Sequence, residues 1–170
     1  MTKTGMIAVL LAAASLAACS KGEQATEKGS AADAPGAYSA AACPQPDSDG
    51  IVAIQEGLVA KIIKPGYGRA AASKDYADVH TTLWLYDEAA EGGRGLEVWS
   101  SGGQSPFQFQ IDSGQVIAGW DLGVKCMLLG EKRELRIAPE LGYGVRGKPP
   151  VPPNATLLFD IELVNLTSPE

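Results

Sequence analysis

The residues that could do chemistry are few, and their spacing excludes most kinds of catalysis. His80 is the only histidine in the chain, and no cysteine or paired carboxylate stands near it in sequence, so a packed or surface ring is expected there and not a base or metal ligand. No metal-binding spacing, phosphate-cradling loop or nucleophile motif is present, and no cofactor is expected. Asp87, Glu88 and Glu91 read as a solvated loop. What stands out is aromatic and apolar: Pro106 to Val124, PFQFQIDSGQVIAGWDLGV, puts Phe107, Phe109, Val116, Ile117 and Trp120 within nineteen positions. Such a cluster builds either a hydrophobic core or a ligand pocket, and periodicity alone leaves both readings open.

The elements that must position this cluster follow from its pattern. Phe107, Phe109 and Ile111 alternate with Gln108, Gln110 and Asp112, which predicts a half-buried strand. Asp112-Ser113-Gly114 is a turn. Val116, Ile117, Trp120 and Val124 then recur at helical spacing through a segment opened by Gly119. A helix of about two turns cannot hold itself together, so its apolar side is expected to lie on a sheet.

Further strands read out in order. Ile51 to Leu58 could form an edge strand, and Val59 to Lys64 a second that Pro65-Gly66 stops. Ala77 to Tyr86 sets Val79, Thr81, Leu83 and Leu85 on one face and His80, Thr82, Trp84 and Tyr86 on the other. After the Gly-rich connection Asp87 to Gly95 come Leu96 to Ser100, Glu131 to Ala138, an ordered loop from Pro139 to Pro153, and Thr156 to Leu166. These predict an α+β fold, a curled antiparallel sheet of about five strands wrapped around one short α-helix.

Upstream of these strands, Lys3, the apolar run Met6 to Ala14 and the ending Leu16-Ala17-Ala18-Cys19 form a leader too short to span a bilayer. The ending resembles a bacterial lipobox, which implies a signal peptide over 1–18 and a lipid on Cys19, with a plain secretory signal as the alternative. Ser20 in place of Asp points to the outer membrane, facing the periplasm. Residues 19–50, rich in Ala, Gly, Ser and charge, read as a flexible tether, leaving 51–170 as the folded domain. Cys43 and Cys126 are an even pair in an oxidising compartment, hence a disulfide candidate, with free thiols as the alternative. A formal net charge of −6 argues against nucleic acid as a partner.

PFQFQIDSGQVIAGWDLGV, followed by LGEKRELRIAPELGYG and PPNATLLFDIELVNL, resembles the FKBP family of peptidyl-prolyl cis-trans isomerases in its bacterial lipoprotein form. The resemblance covers roughly Gly57 to Leu166. It implies an FKBP-like fold whose partners are X-Pro segments of exposed envelope or secreted proteins, with the chain acting as a monomer. It also implies Trp120 as the floor of the substrate pocket, Val116 and Ile117 as a wall with the Ile117 main-chain N–H on the substrate carbonyl, and Tyr143 as a hydroxyl donor. Catalytic roles thereby fall to Tyr143, Trp120 and Ile117. Phe107, Phe159 and Val151 complete the apolar wall. Three positions depart from the family pattern: Thr81 stands where a Tyr is usual, and Val98-Trp99 where Phe-Asp is usual. Weak or substrate-shifted isomerase activity is the resulting expectation, and a non-catalytic module that binds Pro-containing or apolar segments is the alternative.

Overall fold

The computed structural model describes residues 43–169. Nine strands and one helix follow in chain order: β1 (Ile51–Gln55), β2 (Leu58–Lys64), β3 (Tyr67–Ala70), β4 (Tyr76–Tyr86), β5 (Arg94–Ser100), β6 (Phe107–Gln110), α1 (Ala118–Val124), β7 (Leu128–Leu129), β8 (Lys132–Ile137) and β9 (Leu157–Thr167). The main sheet runs β1-β2-β8-β9-β4-β5, with β6 also paired to β4, and all of its ladders are antiparallel. Strands β3 and β7 form a separate small ribbon. The main sheet is thus seven-stranded where about five were expected: the Ile51 hairpin extends one edge, and two strands share the other.

That shared edge shapes the site. The first half of β4, Tyr76 to Val79, pairs with β6, and the second half, Thr82 to Tyr86, pairs with β5. At the junction the Ser101 N–H donates to the Thr81 carbonyl at 2.8 Å, and the Thr81 N–H donates to Ser101 Oγ at 2.9 Å. Ser101 is buried and satisfies both backbone groups of Thr81, which neither β5 nor β6 pairs.

The core lies between the sheet and α1. Val79, Leu83, Phe109, Ile111, Trp120, Val124, Leu135, Ile137, Phe159 and Ile161 are all buried in one cluster. Gly119 and Gly123 let α1 approach β8: a β-carbon on Gly119 would sit 2.5 Å from Ile137 Cγ2, and one on Gly123 would collide with Leu135. Beneath the end of α1, Arg133 donates from Nε to Glu131 Oε1 at 2.6 Å and from Nη1 to the Gly123 carbonyl at 2.9 Å. Glu131 Oε2 accepts the Leu128 N–H at 2.9 Å. Burial pushes the Arg133 guanidinium below its usual pKa, and the Glu131 carboxylate offsets part of that shift.

Cys43 and Cys126 are disulfide-bonded, with Cα atoms 5.7 Å apart. Asp47 Oδ1 accepts the N–H groups of Asp49 and Ile51, each at 2.9 Å, and the Gly50 carbonyl accepts the Ile62 N–H at 2.8 Å. Residues 43–50, which composition assigns to the tether, are therefore fastened to the domain at both ends. The leader, Cys19 and the rest of the tether lie outside the described residues.

Candidate active site

Turn chemistry brings the aromatic cluster together. Asp121, in the first turn of α1, accepts the Asp112 N–H on Oδ1 at 2.9 Å and the Gly114 N–H on Oδ2 at 3.2 Å. Gln115 Oε1 accepts the Gln110 N–H at 3.1 Å. These bonds fold the segment between β6 and α1 back over the sheet. The helix begins only at Ala118, so Val116, in a bend, and Ile117, in extended backbone, precede it, contrary to the helical spacing expected of them. Helical periodicity arose there because a loop pressed on an apolar surface also buries residues three or four apart. The Ile117 carbonyl accepts the Trp120 and Asp121 N–H groups, while its own N–H has no acceptor among the described residues.

The result is a cavity of about 550 Å³. Every pocket residue carried over from the family pattern lines it: Val98, Trp99, Phe107, Val116, Ile117, Trp120, Tyr143, Val151 and Phe159. Trp120, only 6% exposed, is the hub of the aromatic set. Its ring centroid lies 5.2 Å from Phe159 and 5.9 Å from Phe107, both edge-on, and 5.6 Å from Phe109. Phe107 keeps the apolar face expected from alternation, its ring stacked 6.1 Å from that of Phe109, but stands at the cavity, 44% exposed, while Phe109 and Ile111 take the core.

The rim departs from the family pattern, and the pairing of β5 with β4 explains how. Leu83 faces Trp99 and Trp84 faces Glu97, so Val98 is an extra residue in the ladder, a β-bulge. Strict alternation would send Val98 and Trp99 to opposite faces. The bulge lets both line the cavity, with Trp99 47% exposed at its edge. Thr81, on the same face of β4 as Leu83, does not reach the cavity, and its buried Oγ1 has no hydrogen-bond partner among the described residues.

Tyr143 is half-buried in the loop after β8, and burial raises its phenol above the ordinary tyrosine pKa. Its hydroxyl has no hydrogen-bond partner among the described residues, and Lys148 Nζ lies 5.7 Å from its ring centroid. Leu83, Gln115, Lys148, Pro149 and Pro150 also line the cavity and were missed by sequence reasoning. Leu83 could have been found from its inward register on β4. Lys148 could have been found from its place beside the apolar loop residue Val151.

His80 is not part of this site. Its Nδ1 lies 3.4 Å from Ser101 Oγ in a separate polar groove with Lys132, Asp160 and Glu162.

These features have relatives. Residues 68–164 match the family described as FKBP-type peptidyl-prolyl cis-trans isomerase. FK506-binding protein 1 of Aspergillus oryzae is 42% identical over 65% of this chain and 98% of its own length. FK506-binding protein 2 of Candida glabrata is 50% identical over 54% of this chain and 65% of its own. Among solved structures, FkpA from Escherichia coli superposes with a TM-score of 0.61 at 35% identity, over 72% of this chain and 54% of the FkpA chain, so this chain spans about half of FkpA. With the matched segment running from β3 into β9 and thus enclosing the whole aromatic cavity, the chain belongs to the FKBP-type peptidyl-prolyl cis-trans isomerase family.

Proposed function

We propose that the Trp120 cavity catalyses cis-trans isomerisation of X-Pro bonds in exposed segments of envelope or secreted proteins, and so assists their folding. The observation that carries this reading is an aromatic cavity of about 550 Å³, with room for a proline ring and its neighbouring residues, lined by two uncommitted donors, the Ile117 N–H and the Tyr143 hydroxyl. Rotation about an X-Pro bond is opposed by a barrier of about 18–20 kcal/mol, because the amide loses resonance as it twists. The planar amide is the more polar form, so a dry apolar enclosure disfavours it relative to the twisted one. Trp120, Phe159, Val151 and Val98 supply that enclosure. The Ile117 N–H holds the substrate carbonyl, and the Tyr143 hydroxyl donates beside it. No acid, base or cofactor takes part.

Cys19 carries the lipid that anchors the chain in the outer membrane, and the tether presents a monomeric domain to the periplasm. The LAAC ending, Ser20 and the Cys43–Cys126 disulfide support this placement, since such bonds persist in oxidising compartments. Metabolic labelling with a fatty acid tests it: label on the wild-type chain that Cys19→Ser abolishes is the expected result, and an unlabelled wild type overturns the anchor.

A second reading, a non-catalytic module that holds Pro-containing or apolar segments, draws on the replacements at Thr81, Val98 and Trp99. Exchange NMR on a Leu-Pro peptide separates the two. Faster cis-trans exchange that Trp120→Leu abolishes supports the enzyme. Peptide resonances that shift on binding without faster exchange refute it and leave the module.

A further inference from the structure

We infer that the cavity prefers segments carrying a carboxylate within a residue or two of the proline, and that Lys148 reads that carboxylate; the inference rests on the cavity being the site for X-Pro segments. Lys148 is the one formally charged residue among those that line it, and no Asp or Glu does. Its ammonium stands beside Tyr143, 5.7 Å from the ring centroid, at the rim of the cavity.

Lys148 has no ion-pair partner among the described residues. Lys61, Arg136 and Arg146 share that lack of a carboxylate partner, but of these cations Lys148 alone lines the cavity. Its side chain also springs from a fixed point. The Lys148 N–H donates to the Val151 carbonyl at 3.0 Å and the Val151 N–H donates back at 2.7 Å, with the Val151 side chain buried in the cavity wall. A chain of net charge −6 thus presents an unmatched cation at the mouth of its apolar cavity. Segments with free carboxylates gain there, and segments with lysine beside the proline are repelled. Because the ammonium is solvated, the discrimination is about three- to tenfold at low ionic strength and shrinks as salt screens it.

Three peptides sharing a Leu-Pro centre, flanked on both sides by Glu, Gln or Lys, test this with the full chain. Exchange NMR gives the acceleration of each, and resonance shifts give its affinity, at about 20 mM and about 200 mM salt, where the screening length falls severalfold. The expected order is Glu, then Gln, then Lys. Lys148→Glu inverts it, whereas Arg146→Gln, on the same loop, preserves it. Equal values for all three peptides, or an order that survives Lys148→Glu, overturns the inference while leaving isomerisation standing. If no peptide isomerises faster, the enzyme reading fails and the affinities alone decide the charge preference by the same criteria.

Discussion

Breaking the Cys43–Cys126 bond should destabilise the domain by an amount that the loop length sets. The bridged residues are 83 apart in sequence, and the chain-entropy relation for a loop of that size gives about 4.5 kcal/mol near room temperature. Part of this is regained, because once the bridge is cut residues 43–50 keep only the Asp47 turn and the Gly50–Ile62 hydrogen bond as fasteners, and some of that segment frays in the native state. A loss of about 2–4 kcal/mol remains, equivalent to a fall of roughly 6–20 °C in Tm for a domain of this size. Urea unfolding followed by tryptophan fluorescence measures it on the oxidised chain, the reduced chain, and a variant with both cysteines changed to serine. The wild type should also show the smaller m-value, because its cross-linked unfolded state exposes less surface. Reductant must leave the serine variant unchanged. Agreement of all three unfolding free energies within about 0.5 kcal/mol would refute the reasoning, since a closed loop of this length cannot be silent unless the reduced unfolded chain is already as compact.

Four further outcomes are expected. Tyr143→Phe lowers kcat/KM about 2- to 12-fold, the worth of one hydrogen bond. Because burial raises the Tyr143 phenol above its ordinary 10.0, its proton is lost only as pH climbs past that value, so a pH profile of the wild type should be flat from about 6 to about 9. Glu131→Gln should cost about 3–5 kcal/mol in chemical denaturation, because it leaves the buried Arg133 guanidinium without the carboxylate that offsets its desolvation. Gly119→Ala drives a methyl group into Ile137 and should cost about 1–3 kcal/mol; because it lifts α1 off β8 next to Ile117 and Trp120, kcat/KM should fall with it.

Strand β4 was legible in the sequence because period-two alternation and burial coincide there: Val79, Thr81 and Leu83 are buried, while His80, Thr82 and Trp84 are partly exposed. The three separated motifs carried the fold, and with it the aromatic part of the cavity lining, whereas Leu83, Gln115, Lys148, Pro149 and Pro150 went unread. Legibility failed where a residue's orientation depends on a partner strand or loop. Nothing in LEVWSS announces the bulge at Val98, since a bulge exists only in the register with β4. The helical spacing of Val116 and Ile117 misled because Asp121 holds their loop in place through backbone bonds that no periodicity records.

The rim replacements and the free donors bear on the same question of what this cavity needs in order to work. Val98 for a Phe and Trp99 for an Asp make the edge aliphatic and aromatic, and remove any carboxylate that could hold a phenol or a substrate N–H. An acid or base would be indispensable in a reaction that moves a proton. Twisting an amide moves none, so the loss falls on substrate positioning and not on the chemical step. What must survive is a dry enclosure and donors not already engaged. Trp120 remains packed among three aromatic rings, and neither the Ile117 N–H nor the Tyr143 hydroxyl is committed within the described fold. The bulge at Val98 returns the Trp99 indole to the cavity, so surface lost with the Phe ring is replaced at the edge. Isomerisation therefore stays within reach of this cavity.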